Sequence, residues 1–366
     1  MNAVLTVNAG SNSLKAHLVD TGSEEVLDSV DVDGAPDSDE ARRALDDLLD
    51  RLDGDLVAVA HRLVHGGPDL RAATPVDDAA LAAARRAEDL APLHVPPALR
   101  LLEVLRERLP DPPHVLCPDT AFHADLPEVA ATYPLPAEWR ERHGLRRYGF
   151  HGLSYRWALD RTAEILDRPA GGVSALLAHL GGGCSVCAVR DGRSVDTSMG
   201  FTPLEGVPMS KRSGSVDPGM LLWLLRHGLD LDALDHGLNH ESGLLGLSGG
   251  RSGDTRDLVA AAGDDPAAAL ALRVFAHRVR RELAAAATSL DRLDALVFTG
   301  EIGWDQPEVR ADVVAGLSLL GVPGELSSTS DGDGVVSPTG ARVPVLVVRP
   351  REELQLCRDA LGALGG

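Results

Sequence analysis

The first apolar run, at residues 4–7, ends in a turn of Gly, Ser and Asn, and a second run follows at 14–19. Short apolar runs bounded by turn residues predict buried strands, so the chain opens as strand, turn, strand. The pattern returns downstream, where residues 176–180 meet Gly181-Gly182-Gly183 and a second run occupies 184–189. Asp191-Gly192 then supplies a hairpin turn. A weaker third instance pairs 296–299 with a turn at 300–303. Two such units predict a duplicated architecture, one unit opening each half of the chain.

Alanine-rich stretches at 78–90, 97–108, 265–290 and 352–364 predict helices. In the third, Leu270, Val274, Phe275, Val279 and Leu283 carry the spacing of an amphipathic face. Strands alternating with helices give an α/β class. Residues 321–342, rich in Gly, Ser, Asp and Pro, read as a surface hairpin or loop.

A chain of 366 residues is long for one domain and predicts one large or two medium ones. Its net charge of -20 excludes a nucleic-acid surface and an anionic membrane as partners. An anionic substrate stays open, because a few cations suffice to make one pocket basic. Lysine is confined to Lys15 and Lys211, both in Gly/Ser-rich turns, while arginine is abundant. Cys184 and Cys187 form a C-x-x-C, but no second pair completes a metal site, so they read as small residues of a packed strand. The first residues lack a basic region, and no apolar run approaches the ~20 residues of a membrane span. A soluble, cytoplasmic protein is expected.

Several turns carry candidate chemistry. In NAGSNSLK (8–15), Gly10 permits close backbone approach, the Ser11 and Ser13 hydroxyls donate, and Lys15 adds charge. That is a phosphate-holding recipe, although a plain hairpin has the same look. Arg62, in HRLVHGG (61–67), stands at the end of an apolar run and beside paired glycines. There it is placed to grip a carboxylate or phosphate bidentately, or is simply a surface arginine in a turn. Asp119 follows another short run; it would hold a metal, orient a substrate or act as a base, or else cap a turn. His151 lies between Gly149-Phe150 and Gly152, where local bulk is low. Lys211-Arg212 sits in a small-residue turn as an anion clamp, and Glu352-Glu353 opens the last helix, where its dipole favours acids.

Taken in order, these segments resemble the acetate kinase family across essentially the whole chain. NAGSNSLK, HRLVHGG, LAPLHVPP (90–97), DTAFH (119–123), RYGFHG (147–152), HLGGGCS (179–185), SMGFTPLEG (198–206), KRSGSVDP (211–218) and VFTGEIG (297–303) are collinear with the family's motifs. The resemblance implies two duplicated actin-like, ribonuclease-H-like domains with the active site in the cleft between them. Residues 1–121 would form the N-terminal domain, completed by a terminal helix at 354–366, and 122–353 the nucleotide-binding domain. It implies a reversible acetate kinase, moving a phosphoryl group in line between ATP and acetate to give acetyl phosphate and ADP. A short-chain carboxylate kinase with another donor, pyrophosphate or a different nucleotide, is the alternative. Arg62, Arg212, Asp119 and His151 would be catalytic. Val64, Leu93, Phe150 and Pro203 would join Arg62 in holding the acceptor. The phosphates and nucleotide would meet Ser11, Ser13, Lys15, His94, His179, Gly181, Gly182 and Gly183. They would also meet Asp254, Thr255, Arg256, Gly300, Glu301, Ile302, Gly303 and Asp305. Asn8 and Glu352 would hold Mg²⁺, with Mn²⁺ as a substitute, and the family leads us to expect a homodimer.

The chain departs from the family pattern at defined points. Gly182 replaces an asparagine, as do Val95 in LAPLHVPP and Ala98 directly after it, and the adenosine-site motif reads Gly253-Asp254-Thr255-Arg256. Glu301 puts a carboxylate where a glycine lets purine and ribose approach, so it faces solvent, pairs with a cation or alters the pocket.

Overall fold

A computed structural model describes residues 2–10, 13–326 and 332–365. The chain divides into two compact units. Unit 1 holds residues 1–124, 150–156 and 351–366; unit 2 holds 125–149 and 157–350. Segment 150–156, which the sequence partition gave to the second domain, lies in unit 1.

Unit 1 is built on a six-stranded sheet of β1 (Asn2–Ala9), β2 (Ser13–Asp20), β3 (Val26–Asp33), β4 (Asp55–Leu63), β5 (Thr74–Pro75) and β6 (His114–Pro118). Its spatial order is β3-β2-β1-β4-β6-β5. Strands β1, β2 and β3 form an antiparallel meander, β4 and β6 add parallel to β1, and β5 closes the edge antiparallel. One core packs Leu5, Val7, Leu14, Leu18, Leu45 and Leu101 together, so β1 is buried along most of its length. That burial is why β1 reads as a continuous apolar run instead of an alternating one.

Unit 2 repeats the plan with β7 (Ala175–Leu180), β8 (Cys184–Arg190), β9 (Arg193–Thr197), β10 (Ala295–Thr299), β11 (Gly334–Val335) and β12 (Val345–Val347). The order β9-β8-β7-β10-β12-β11 mirrors unit 1 strand for strand. The directions also agree: an antiparallel meander, two parallel additions and an antiparallel edge. The duplication expected from two strand–turn–strand openings is therefore a duplication of whole sheets. Asp191 and Gly192 both take positive φ, 47° and 76°, as a tight β8–β9 turn demands.

Two sequence expectations need correction. The third strand–turn instance is a strand running into a helix, Gly300–Asp305, because the later strand that pairs with β10, β12, runs parallel to it and the chain must cross over to reach it. In the helix Pro266–Ala287 the buried stripe is Ala268, Ala271, Phe275, Ala276, Val279, Leu283 and Ala286. Leu270 is 47% exposed. At 3.6 residues per turn it projects opposite that stripe, and alanines, whose small side chains permit close packing, take its place. Cys184 and Cys187 are buried in β8, and Cys117 and Cys357 are buried as well. Burial pushes the Cys184 and Cys187 thiols up to about 12, which makes them packing residues. Among the described residues no helix is long and apolar enough to cross a membrane.

Candidate active site

Parallel pairing sends β4 and β6 in the same direction as β1, so their carboxyl ends share one edge of the unit 1 sheet. Ligands of open α/β sheets bind at such edges. Asn8 stands near the end of β1, Arg62 near the end of β4, and Asp119 directly after β6.

Arg62 grips Asp119 bidentately, with Nε 3.2 Å from Oδ1 and Nη2 2.5 Å from Oδ2. Its Nη1 donates to Asn8 Oδ1 at 2.8 Å. Asn8 Nδ2 in turn donates to Glu352 Oε2 at 3.5 Å, and that oxygen lies 4.0 Å from Arg62 Nε. Glu352 opens the helix Glu352–Gly365, where the dipole favours a carboxylate. The pair is well withdrawn from water, with side chains 16% and 1% exposed for Arg62 and Asp119. Burial works against the Arg62 charge, but Asp119 and Glu352 outweigh it and raise the guanidinium above its ordinary range. A buried guanidinium with this fork is built for a planar anion, and it already holds one.

His151 has φ +60°, a left-handed backbone costing a residue with a Cβ about 1–2 kcal/mol. The next residue explains the bend: a Cβ at Gly152 would overlap the Asp119 carbonyl oxygen and crowd Phe122. The 150–152 turn thus packs directly on the backbone of the acid. Two residues that sequence reasoning did not single out brace this corner. Thr120 Oγ1 accepts from Gly66 N at 3.1 Å, and His123 Nε2 donates to the Phe150 carbonyl at 3.0 Å. Both lie in the DTAFH motif, where only their shared five-residue turn with Asp119 signals a bracing role.

Of the expected acceptor-binding residues, Val64 and Phe150 are buried in unit 1, Leu93 is half-exposed there, and Pro203 lies in unit 2. His94 stands at the N-cap position of the helix Val95–Arg108, without a side-chain capping bond. Ser13 begins β2. Lys15 pairs across the strands with Asp31 at 3.5 Å. Ser11 lies outside the described residues.

Unit 2 carries the other expected residues. His179 lies near the end of β7, and Gly181 to Gly183 form the β7–β8 turn, with Gly181 N donating to Gly183 O at 3.1 Å. A Cβ at Gly182 would meet nothing within 4 Å, so the loss of asparagine there leaves open space. Gly300, Ile302 and Gly303 are buried in the short helix after β10, whereas Glu301 and Asp305 are exposed. Glu301 faces solvent, the first of the three outcomes open to it. Asp254 caps the helix Thr255–Ala261 and pairs with Arg256 at 2.8 Å, while Thr255 is buried. Arg212 donates through Nη1 to the Pro203 carbonyl at 3.1 Å.

The oxygen donors Asn8 Oδ1 and Glu352 Oε2 belong to one hydrogen-bonded group. No cluster of three or more His, Cys, Asp or Glu suited to a metal occurs among the described residues. One carboxylate and one amide oxygen fit Mg²⁺, which is bound through one or two carboxylates plus substrate phosphates and water.

Comparison with known proteins gives a consistent result. A model of the acetokinase family matches residues 32–358. The chain is 42% identical to an acetate kinase of Leifsonia xyli subsp. xyli over 100% of this chain and 99% of that one. It is 41% identical to an acetate kinase of Clavibacter michiganensis subsp. michiganensis, each chain fully covered. Among solved structures, the acetate kinase of Porphyromonas gingivalis superposes with a TM-score of 0.91 at 31% identity, covering 100% of both chains. A propionate kinase of Francisella tularensis gives 0.89 at 30% identity, covering 98% of this chain and 99% of that one.

Proposed function

The chain belongs to the acetokinase family, and from that premise we propose that it is an acetate kinase, transferring a phosphoryl group reversibly between ATP and acetate. The observation that carries this reading is the buried Arg62–Asp119 pair joined to Asn8 and Glu352 at the carboxyl ends of β1, β4 and β6.

Phosphoryl transfer asks the protein for in-line positioning and charge stabilisation more than for covalent chemistry. Unit 1 is assigned the acceptor. Arg62 binds the acetate carboxylate and later the charge of the transferring group, and Asp119 sets the direction of its fork. Val64, Leu93, Phe150 and Pro203 limit the acceptor's alkyl end. Propionate, the substrate in the name of the Francisella tularensis relative, is a second acceptor under this reading. His151 and Arg212 stabilise the equatorial oxygens. Unit 2 is assigned the nucleotide, with His179, Gly181 to Gly183 and residues 300–305 around its phosphates and nucleoside, joined by Asp254, Thr255 and Arg256. Asn8 and Glu352 are the residues that would hold Mg²⁺, or Mn²⁺ in its place, which supplies neutralisation of phosphate charge when bound.

A homodimer fits the apolar surface of the helix Pro218–Arg226 and its successor, where Met220, Leu222, Trp223, Leu225 and Leu231 are exposed. Trp223→Glu should convert it to a monomer in sedimentation. A cytoplasmic location fits a substrate pair of metabolic anions and is checked by fractionation of the source cells.

The activity is tested by supplying purified protein with acetate, Mg²⁺ and hydroxylamine, and either ATP, GTP or pyrophosphate, and measuring acetyl hydroxamate. Acetyl phosphate plus phosphate is run in the reverse direction. Product with ATP is expected. Activity confined to pyrophosphate or phosphate overturns the donor, and silence with every donor from folded protein overturns the enzyme.

A further inference from the structure

A second polar network, in unit 2, lies outside the residues assigned above. Arg147 Nη1 donates to two successive carbonyls, Ser198 O and Met199 O, both at 3.0 Å. Its Nη2 donates to Glu205 Oε1 at 2.8 Å. Glu205 Oε2 accepts from the Tyr133 hydroxyl, and the hydroxyl oxygen accepts from Phe201 N at 2.9 Å. The guanidinium also lies over the Tyr133 ring, 5.5 Å from its centroid. The Gly200 carbonyl accepts from Tyr148 N at 3.0 Å. One backbone group at each of 198, 199, 200 and 201 is thus held by this network. A Cβ at Gly200 would overlap both Glu205 Oε2 and the Tyr133 hydroxyl. Burial raises the Tyr133 hydroxyl well above its ordinary range, which keeps it a protonated donor to Glu205.

The held segment leads to Pro203, whose carbonyl accepts from Arg212. Gly206, just beyond Glu205, is tied twice to the far side of Arg212. Ser215 N donates to Gly206 O at 2.8 Å, and Gly206 N donates to Ser215 Oγ at 3.0 Å. Displacement of residues 198–206 therefore moves both Pro203 and Arg212.

We propose that Tyr133, Arg147 and Glu205 are positioning residues that clamp residues 198–206, and so set both the reach of Arg212 and the acceptor size limit imposed by Pro203. This rests on the acetate kinase reading. A preference for acetate over propionate rests on a single methylene, which a fixed wall can read and a mobile one cannot. Arginine is suited to the task because its planar fork spreads fixed donors over two nitrogens that reach two carbonyls and a carboxylate, whereas an ammonium donates from a single point.

The test compares wild type with Tyr133→Phe, Arg147→Lys and Glu205→Gln in steady-state kinetics with acetate and propionate, after thermal unfolding has shown each variant folded. Tyr133→Phe removes one oxygen, so it keeps the test available where another variant does not fold. The expected result is a kcat lower by about tenfold to a hundredfold, with the KM for ATP within about twofold. The preference for acetate over propionate in kcat/KM should shrink by at least about threefold, within the range one methylene commands. Arg147→Lys should lose less than Arg147→Ala. Folded variants with unchanged kcat and unchanged acceptor preference overturn the clamp. A wild type inactive with every donor overturns the acetate kinase reading first, and the two failures are told apart by the wild-type assay.

Discussion

The two sheets share a strand order and strand directions, yet their equivalent strand ends carry opposite chemistry. Strand β4 carries a largely buried arginine one residue before its end, a buried aspartate follows β6 directly, and a glutamate and an asparagine complete the group. Their counterparts in unit 2 end otherwise: β10 runs into Thr299 and Gly300, and β12 into Val347 and Val348. The β7–β8 turn has three glycines where the β1–β2 turn is polar and carries Lys15 nearby. One scaffold thus supplies a fixed edge, and side chains decide what it serves. Long charged groups suit a small anion that must be polarised; glycines suit a larger ligand that approaches backbone.

The comparison is broken most directly at Arg62. Arg62→Ala should lower kcat/KM by at least about 10³-fold, as arginines do in phosphoryl transfer, and should cost about 3–5 kcal/mol of stability by stranding buried Asp119. Steady-state kinetics and denaturant unfolding read the two effects, and a loss of activity under tenfold would remove Arg62 from the reaction. Next is Gly152→Ala, which pushes on the Asp119 carbonyl. A displacement near 1 Å is expected to lower kcat about 10²-fold with the KM for ATP unchanged, and an unchanged kcat would show that the acid tolerates movement.

A third effect is on stability and pH. His61 Nε2 lies 2.9 Å from His114 Nδ1, and His114 Nε2 lies 2.9 Å from the Leu109 carbonyl. The carbonyl only accepts, so His114 carries its proton on Nε2 and His61 donates to Nδ1. Burial is the main cause lowering both imidazoles, with His114 and Arg106 adding to it at His61 and Arg106 at His114. Their folded values lie below the unfolded 6.5, so the stabilisation is complete above pH 6.5 and is lost as the pH falls from 6.5 toward the depressed values. Thermal melts should show stability falling by up to about 1.4 kcal/mol per pH unit for each imidazole in that window. His61→Leu/His114→Leu should flatten the slope; an unchanged slope would assign it to other groups.

The smallest effects belong to unit 2. Glu301→Gly should change the KM for ATP less than about threefold, because an exposed side chain is worth within about 0.5 kcal/mol. Gly182→Asn should leave the melting temperature in place and lower the KM for the nucleotide, since its side chain enters open space. A tenfold response to Glu301→Gly would show that the carboxylate itself, and not only the backbone of 300–305, acts on the nucleotide.

Much of the fold was legible from residue order. Uninterrupted apolar runs marked β1, β7 and β10 because both faces of each are covered, and turn residues marked the joins. What alternation cannot show is partner choice, so 296–299 looked like another hairpin arm until its parallel pairing was known. In Pro266–Ala287 the spacing marks Phe275, Val279 and Leu283 of the buried stripe but misplaces Leu270, because hydrophobicity without size favours it over Ala268 and Ala271. At the site, Arg62 and Asp119 were found as strand-end residues, but their mutual grip was not, being a contact across 57 positions. The clamp was less visible still: Tyr133 belongs to no recognised motif, and Arg147 and Glu205 looked like ordinary members of theirs.

Glu352 meets Asn8 across 344 positions of chain. A ribosome adding about 5–20 residues per second needs roughly 17–70 s to make that stretch. Throughout this interval β1 has emerged without the carboxylate and the helix that finish its unit. The sheet of unit 2, by contrast, has every strand between residues 175 and 347, so it is complete before the first sheet's last partner is translated. The newborn polypeptide therefore lacks the Asn8–Glu352 contact until residue 352 is made, and the face of β1, β4 and β6 that the last helix covers is where a chaperone would have most to shield.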